Sequence, residues 1–138
     1  MCMIYQITDQ PIRTEPLLDE MRVATSGAIA TFHGIVRKPS RGREVRYLEY
    51  AAYEPMALKV MEQIGAEIYQ QTGADKVLIV HRTGRVELGE TSILIAVAAP
   101  HRKAALEGCS YAIERIKEIL PVWKKEVWEG GEEWIEGA

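Results

Sequence analysis

The 138-residue chain contains no asparagine, one phenylalanine and two cysteines. Each scarcity excludes something. With a single Phe, no aromatic ladder interleaves with the basic residues, as a stacking platform for single-stranded nucleic acid requires. The formal net charge is -3 and the pI about 5.7, which ranks a long polyanion last among partners: no nucleic acid is expected. Cys2 and Cys109 form no CxxC and no metal-ligand spacing, so they read as reduced thiols of a cytosolic protein. His33, His81 and His101 are scattered, and no metal site or cofactor is expected. No apolar run approaches the roughly 18 residues of a membrane span. MCMIYQITDQ lacks the pattern of a signal peptide, so the expected location is cytoplasmic, with no membrane contact. Walker, GxGxxG and GxSxG motifs are absent. The missing Asn, beside many Glu, Lys and Arg, resembles the usage of proteins from hot environments.

What is present fits one domain spanning residues 1–138. Hydrophobic residues make up 47% and charged residues 27%, ordinary globular usage. Strands are predicted over Met3 to Thr8, Gly27 to Val36, Val45 to Tyr53, Lys76 to His81, GRVELGE from Gly84, Ser92 to Ala99, Val122 to Trp128, and Glu133 to Ile135. The apolar SILIAVAA run should lie centrally. A first helix should start at Thr14-Glu15-Pro16, with Thr14 as its cap. A second runs from Glu54-Pro55 to Thr72-Gly73, with Met56, Val60, Ile64 and Ile68 on its apolar face and Met61 and Ala57 beside them. A third spans about Lys103 to Leu120. Its stripe is Ala105, Cys109, Ala112, Ile113, Ile116 and Leu120, and Pro121 stops it. The loop Arg37 to Glu44 is basic. This order predicts an α+β fold, a mostly antiparallel sheet with helices packed on one side.

The most informative stretch is Pro100 to Glu126. It sets His101 and Arg102 at the mouth of the third helix, Lys117 near its end, and Lys124-Lys125 past the Pro121 break. A cationic cluster on an acidic chain suits an anionic small molecule. Taken singly, Lys117 is a flank lysine and Lys124 a surface lysine. Jointly, they can enter one pocket from opposite sides of the break, with Trp123 as a poorly exposed anchor. A helix N-terminus beside His101 and Arg102 favours phosphate. Arg37 closes a strand, where ligand groups collect. Cys109 falls on the apolar stripe and is a poor nucleophile.

Five strings in order, FHGIVR (Phe32 to Arg37), LEYAAYEPMA (Leu48 to Ala57), HRTGRVELGE (His81 to Glu90), APHR (Ala99 to Arg102) and IK-x3-PVWKKE (Ile116 to Glu126), resemble the catalytic, larger subunit of molybdopterin synthase. The resemblance runs from about Gly27 to Trp134. It implies an α/β-hammerhead fold and sulfur transfer in molybdenum cofactor biosynthesis. In that family, cyclic pyranopterin monophosphate becomes molybdopterin. The sulfur comes from a thiocarboxylate on the C-terminal Gly-Gly of a small ubiquitin-like subunit. The resemblance also implies a homodimer of large subunits with a small subunit at each end, a heterotetramer. By motif position, Lys117 and Lys124 match the family's two important lysines. Arg37, His101 and Arg102 match substrate-contacting positions. Ile35, Val36, Lys125 and Glu126 match the remaining contact segments. The alternative is a non-catalytic module that binds a phosphorylated metabolite through the same basic cluster.

Overall fold

The computed structural model describes residues 3–38 and 44–137. Eight strands and three helices follow one another as β1 (Ile4–Thr8), α1 (Thr14–Asp19), β2 (Ala28–Ile35), β3 (Val45–Ala52), α2 (Glu54–Thr72), β4 (Lys76–Arg82), β5 (Gly84–Glu87), β6 (Thr91–Ala99), α3 (Arg102–Ile119), β7 (Val122–Trp128) and β8 (Gly131–Glu136). The strands divide into two sheets, ordered β1-β4-β6-β2 and β5-β3-β7-β8. All pairings are antiparallel except β1 with β4.

The division follows from where the chain can turn. β4 and β5 are consecutive, separated only by Thr83, yet lie in different sheets. The chain crosses between the sheets there, again between β2 and β3, and again through α3 between β6 and β7. β4 and β6 read as unbroken apolar runs because both their faces are covered. Ile79, Ile95, Val97 and Ala99 join the main core with Met61, Ile64 and Ile68 of α2 and Ala105, Ala112 and Ile116 of α3. On the other face, Leu78, Val80, Leu94, Ala96 and Ala98 pack with Met21 and with Leu17 and Leu18. The two long helices thus share one side as the pattern implied. The short α1 lies against the opposite face, where only a small apolar patch needs covering.

Helix ends follow the expected chemistry. Gly73, at φ +69°, closes α2 in the left-handed conformation that a Cβ disfavours, its N–H bonding to the Tyr69 carbonyl. At the start of α1 the cap position is Arg13, and Thr14 is already helical. Met56 is 51% exposed, and the buried face of α2 is instead Ala57, Met61, Ile64, Gly65 and Ile68. The i, i+4, i+7 spacing from Ala57 rotates the stripe one position away from Met56.

α3 is locked in rotation by a charged clamp to α2. Arg115 donates through Nε and an Nη to both carboxylate oxygens of Glu67, at 2.9 and 3.1 Å, and the Tyr111 hydroxyl donates to Glu67 at 2.8 Å. These donors hold the Glu67 carboxyl down at about 2, the Arg115 hydrogen bonds first among them. Two residues further along, a helix has turned by about 200°. The clamp therefore aims Lys117 away from α2.

Candidate active site

Where the chain crosses between the sheets, a cavity of about 530 Å³ opens, within the range of roughly 300–1,000 Å³ usual for small-molecule sites. One wall belongs to the first sheet: Phe32 to Arg37 at the end of β2, and Ser92 and Ile93 at the start of β6. The facing wall is the inner face of the second sheet, Leu48, Tyr50, Lys124, Glu126 and Ile135. Register explains that set. Tyr50 pairs with Lys124, Leu48 with Glu126, and Lys124 with Ile135, and directly paired residues share a face. The end of α3 adds Ile113 and Lys117, neighbours at i and i+4 on one helix face.

Ile35, Val36, Arg37, Lys117, Lys124 and Glu126 therefore line one cavity. Lys117 and Arg37 are exposed, Lys124 is half-buried, and Glu126 is buried. Two lysines and an arginine face one buried carboxylate whose Oε1 has no hydrogen-bond partner among the described residues. A buried acceptor without a donor is costly, and the neighbouring ammonium groups and any ligand donor are its available partners.

Four other residues stand elsewhere. Lys125 projects from the outer face of β7, as alternation along a strand requires. There its ammonium bridges Glu49 at 2.9 Å and Glu132 at 3.2 Å, chiefly the Glu49 hydrogen bond raising its pKa. Trp123 shares that outer face and is 42% exposed, so it is no buried anchor. His101 and Arg102 sit at the opposite end of α3 from Lys117, both exposed. Fifteen residues of helix separate Arg102 from Lys117, about 22 Å at 1.5 Å per residue. Neither lines the cavity, so the five basic groups do not form one cluster within a single chain. The residues Pro39 to Arg43 of the basic loop, and Cys2, lie outside the described residues.

Several lining residues lie inside the matched strings but are not singled out there as site candidates. His33 and Phe32 are on the cavity wall. Tyr50 is buried with Ser92 beside its phenol, and the Ser92 hydroxyl donates to the Gly34 carbonyl at 3.2 Å. Burial holds the Tyr50 phenol above its ordinary value. Behind Tyr50, the His81 ring meets it edge-on, with centroids 5.1 Å apart. His81 is 1% exposed, and desolvation lowers its pKa to about 4, against a smaller opposing effect of the Arg82 carbonyl at its Nδ1. Cys109 is buried in the core and absent from the cavity lining. Burial pushes its thiol up to about 11. Among the described residues, no group of His, Cys, Asp and Glu could hold a metal ion. No helix among the described residues is long and apolar enough to cross a membrane.

The family model of the MoaE protein matches residues 7–119 of this chain. The chain belongs to the MoaE family. Among its relatives, the molybdopterin synthase catalytic subunit of Bacillus subtilis (strain 168) is 50% identical over 131 residues, 95% of this chain and 83% of that one. The crystal structure of molybdopterin synthase from Staphylococcus aureus superposes with a TM-score of 0.90 at 46% identity, covering 94% of this chain and 95% of that chain. A complex of subunits 1 and 2 of molybdopterin-converting factor from Helicobacter pylori 26695 has a TM-score of 0.81 at 25% identity, covering 96% and 90%. The MoaE fold is therefore the α+β arrangement described above. In this member it brings two lysines of the IK-x3-PVWKKE string to one cavity.

Proposed function

We propose that this chain is the catalytic subunit of a molybdopterin synthase, a cytoplasmic sulfurtransferase that converts cyclic pyranopterin monophosphate to molybdopterin. The observation that carries the reading is the joint lining of one cavity by Lys117 and Lys124, in a chain 50% identical to a molybdopterin synthase catalytic subunit. The donor is the C-terminal Gly-Gly thiocarboxylate of a small subunit, as the two-subunit complex of the Helicobacter pylori relative suggests. A glycine tail is slim enough for backbone to run between the cavity walls.

Each residue then has a task. Arg37 supplies charge-assisted donors for the substrate phosphate. The ammonium groups of Lys117 and Lys124 stabilise the oxyanion that develops when sulfur leaves the thiocarboxylate carbon and water replaces it. One lysine also moves a proton. Glu126 accepts from a lysine or from the substrate through its unpartnered Oε1. Ile35 and Val36 present backbone along the cavity rim. Lys125 acts on the outer face, holding β7 to β3 and β8 through Glu49 and Glu132.

His101 and Arg102 require a second copy. Within one chain they stand about 22 Å from Lys117. In a homodimer whose two-fold axis passes near α3, each chain brings this pair to the other's cavity and completes the phosphate site. With a small subunit at each cavity, the assembly is a heterotetramer.

Reconstitution tests the reading. The chain, a thiocarboxylated small subunit and cyclic pyranopterin monophosphate should yield a dithiolene product over many turnovers. Pterin binding without product would favour a non-catalytic binding module and overturn the enzyme reading.

A further inference from the structure

Tyr50 stands where the two walls of the cavity meet. It belongs to β3 in the second sheet, and its cross-strand partner on β7 is Lys124. Side chains so paired lie with Cβ atoms about 4.5–5.5 Å apart, so the Tyr50 ring flanks the Lys124 stem. The rest of Tyr50 reaches across to the first sheet. Its ring rests edge-on against His81 of β4, and Ser92 of β6 lies beside its phenol, with the Ser92 hydroxyl donating to the Gly34 carbonyl of β2 at 3.2 Å. Gly34 has no room for a side chain, since a Cβ there would stand 2.5 Å from Ile93 Cγ2. It immediately precedes Ile35, Val36 and Arg37. The contacts of one buried tyrosine thus run from Lys124 on one wall to the strand that carries Arg37 on the other.

We propose that Tyr50 is a positioning residue for Lys124, a buried post that sets the spacing between the Lys124 wall and the Arg37 wall. The proposal rests on the catalytic reading of Lys124 given above. The ring is the main support, because it fills the space beside the lysine stem and is itself backed by His81. The hydroxyl is the finer adjustment, because its path through Ser92 ends on the backbone of Gly34. Tyr50 touches no reacting atom in this scheme. It acts through where it leaves the Lys124 ammonium, and a displacement of about 1 Å at a catalytic group can cost on the order of 100-fold in rate.

The test uses the full chain with thiocarboxylated small subunit and cyclic pyranopterin monophosphate, comparing Tyr50→Phe, Tyr50→Leu, Lys124→Ala and the double variant Tyr50→Leu/Lys124→Ala. Tyr50→Leu should lower kcat by roughly 10- to 100-fold with KM for the pterin within about threefold. Tyr50→Phe, which keeps the ring, should lose less, about three- to tenfold. The double variant should be no slower than Lys124→Ala alone, since a post has nothing left to position. A purely structural role predicts a lowered Tm with parental kcat per folded molecule, or losses that multiply in the double variant; either result overturns the proposal. If Tyr50→Leu shows no cooperative melt, Tyr50→Phe takes its place in the same cycle with Lys124→Ala, and multiplying losses again overturn it. A parent chain that turns over, with Tyr50→Leu within twofold of it, refutes the post and leaves the enzyme reading intact. A Lys124→Ala chain as fast as the parent refutes the catalytic reading of Lys124 and the post with it.

Discussion

Lys124 and Lys125 are adjacent, carry the same charge and differ only in which face of β7 they occupy. That makes them a sharp comparison. Lys124→Ala removes a cation from the cavity wall, opposite Tyr50 and two residues from Glu126. Removal of one preorganised donor to a developing oxyanion costs roughly 2.7–4 kcal/mol, or about 100- to 1,000-fold in kcat. The fold should tolerate the change, since a half-buried lysine at a cavity mouth leaves water in its place. Lys125→Ala acts elsewhere. It strips Glu49 and Glu132 of the ammonium they share on the outer face, and leaves the two carboxylates without their cation. Stability should fall and the rate per folded molecule should stay within about threefold of the parent. Dithiolene formation under saturating substrate, paired with thermal melts, reads both effects. An equal or larger kcat loss in Lys125→Ala at unchanged Tm would refute the reasoning, because it would place the outer face of β7 in the chemistry.

The remaining predictions use the same logic. Cys109→Ser should support near-parental turnover, and in the parent Cys109 should resist alkylation at neutral pH, since its thiol lies at about 11 and is buried; a dead variant that still folds would make it the sulfur carrier. A mixed dimer of Lys117→Ala and Arg102→Ala chains, each inactive alone, should regain activity at one of its two cavities, and no recovery on mixing would place Arg102 outside the partner's site. Acid should destabilise the chain between pH 6.5 and 4: His81 is held neutral, with its pKa at about 4 against an ordinary 6.5. The unfolded chain binds a proton there that the native one refuses, so stability is full above pH 6.5 and falls below it by up to about 1.4 kcal/mol per pH unit. His81→Leu should flatten that slope, and an unchanged slope would assign the loss to other groups. The Asn-free composition predicts a Tm above the mesophile range of about 45–65 °C, checked by calorimetry of the purified chain.

The parts of this molecule legible in its sequence are those that depend on local periodicity. The α3 stripe and the Pro121 stop located Lys117, whereas Lys125, matched to a contact segment, faces away from the cavity because successive residues of β7 alternate faces. Strand pairing was less legible. An alternating strand declares its buried face without naming its neighbour, so nothing in GRVELGE told β5 to leave the sheet of β4 for that of β3. Tyr50 and Ser92 escaped notice for the same reason: each is an ordinary strand residue until the register sets Tyr50 beside Lys124 and the break in pairing after Gly34 brings the Ser92 hydroxyl to its carbonyl. Trp123 misled because its size suggests burial, yet one residue from Lys124 on a strand it must face outward. His101 and Arg102 misled through nearness in sequence. A helix converts fifteen residues into about 22 Å, and groups at its two ends meet only by way of another molecule.

The location of the thiol in this fold constrains where sulfur can come from. Cys109 sits on the core face of α3, packed in the same cluster as Ile64, Ile68 and Val97. The cavity is lined by the last turns of the same helix, at Ile113 and Lys117. Cys109 and Ile113 are one helical turn apart on nearly the same face, so neither distance nor rotation excludes the thiol. Burial does. Bringing its sulfur to the cavity would require the core packed around it to open and expose residues such as Ile64 and Ile68. Each buried Ile so exposed costs about 1.5–3 kcal/mol, and the thiolate would also have to form from a group held near 11. A sulfur donor that arrives already activated, on a tail thin enough to pass between the walls carrying Arg37 and Lys124, avoids both costs. The core packing that holds α3 with Lys117 at the cavity is therefore also what keeps Cys109 out of it.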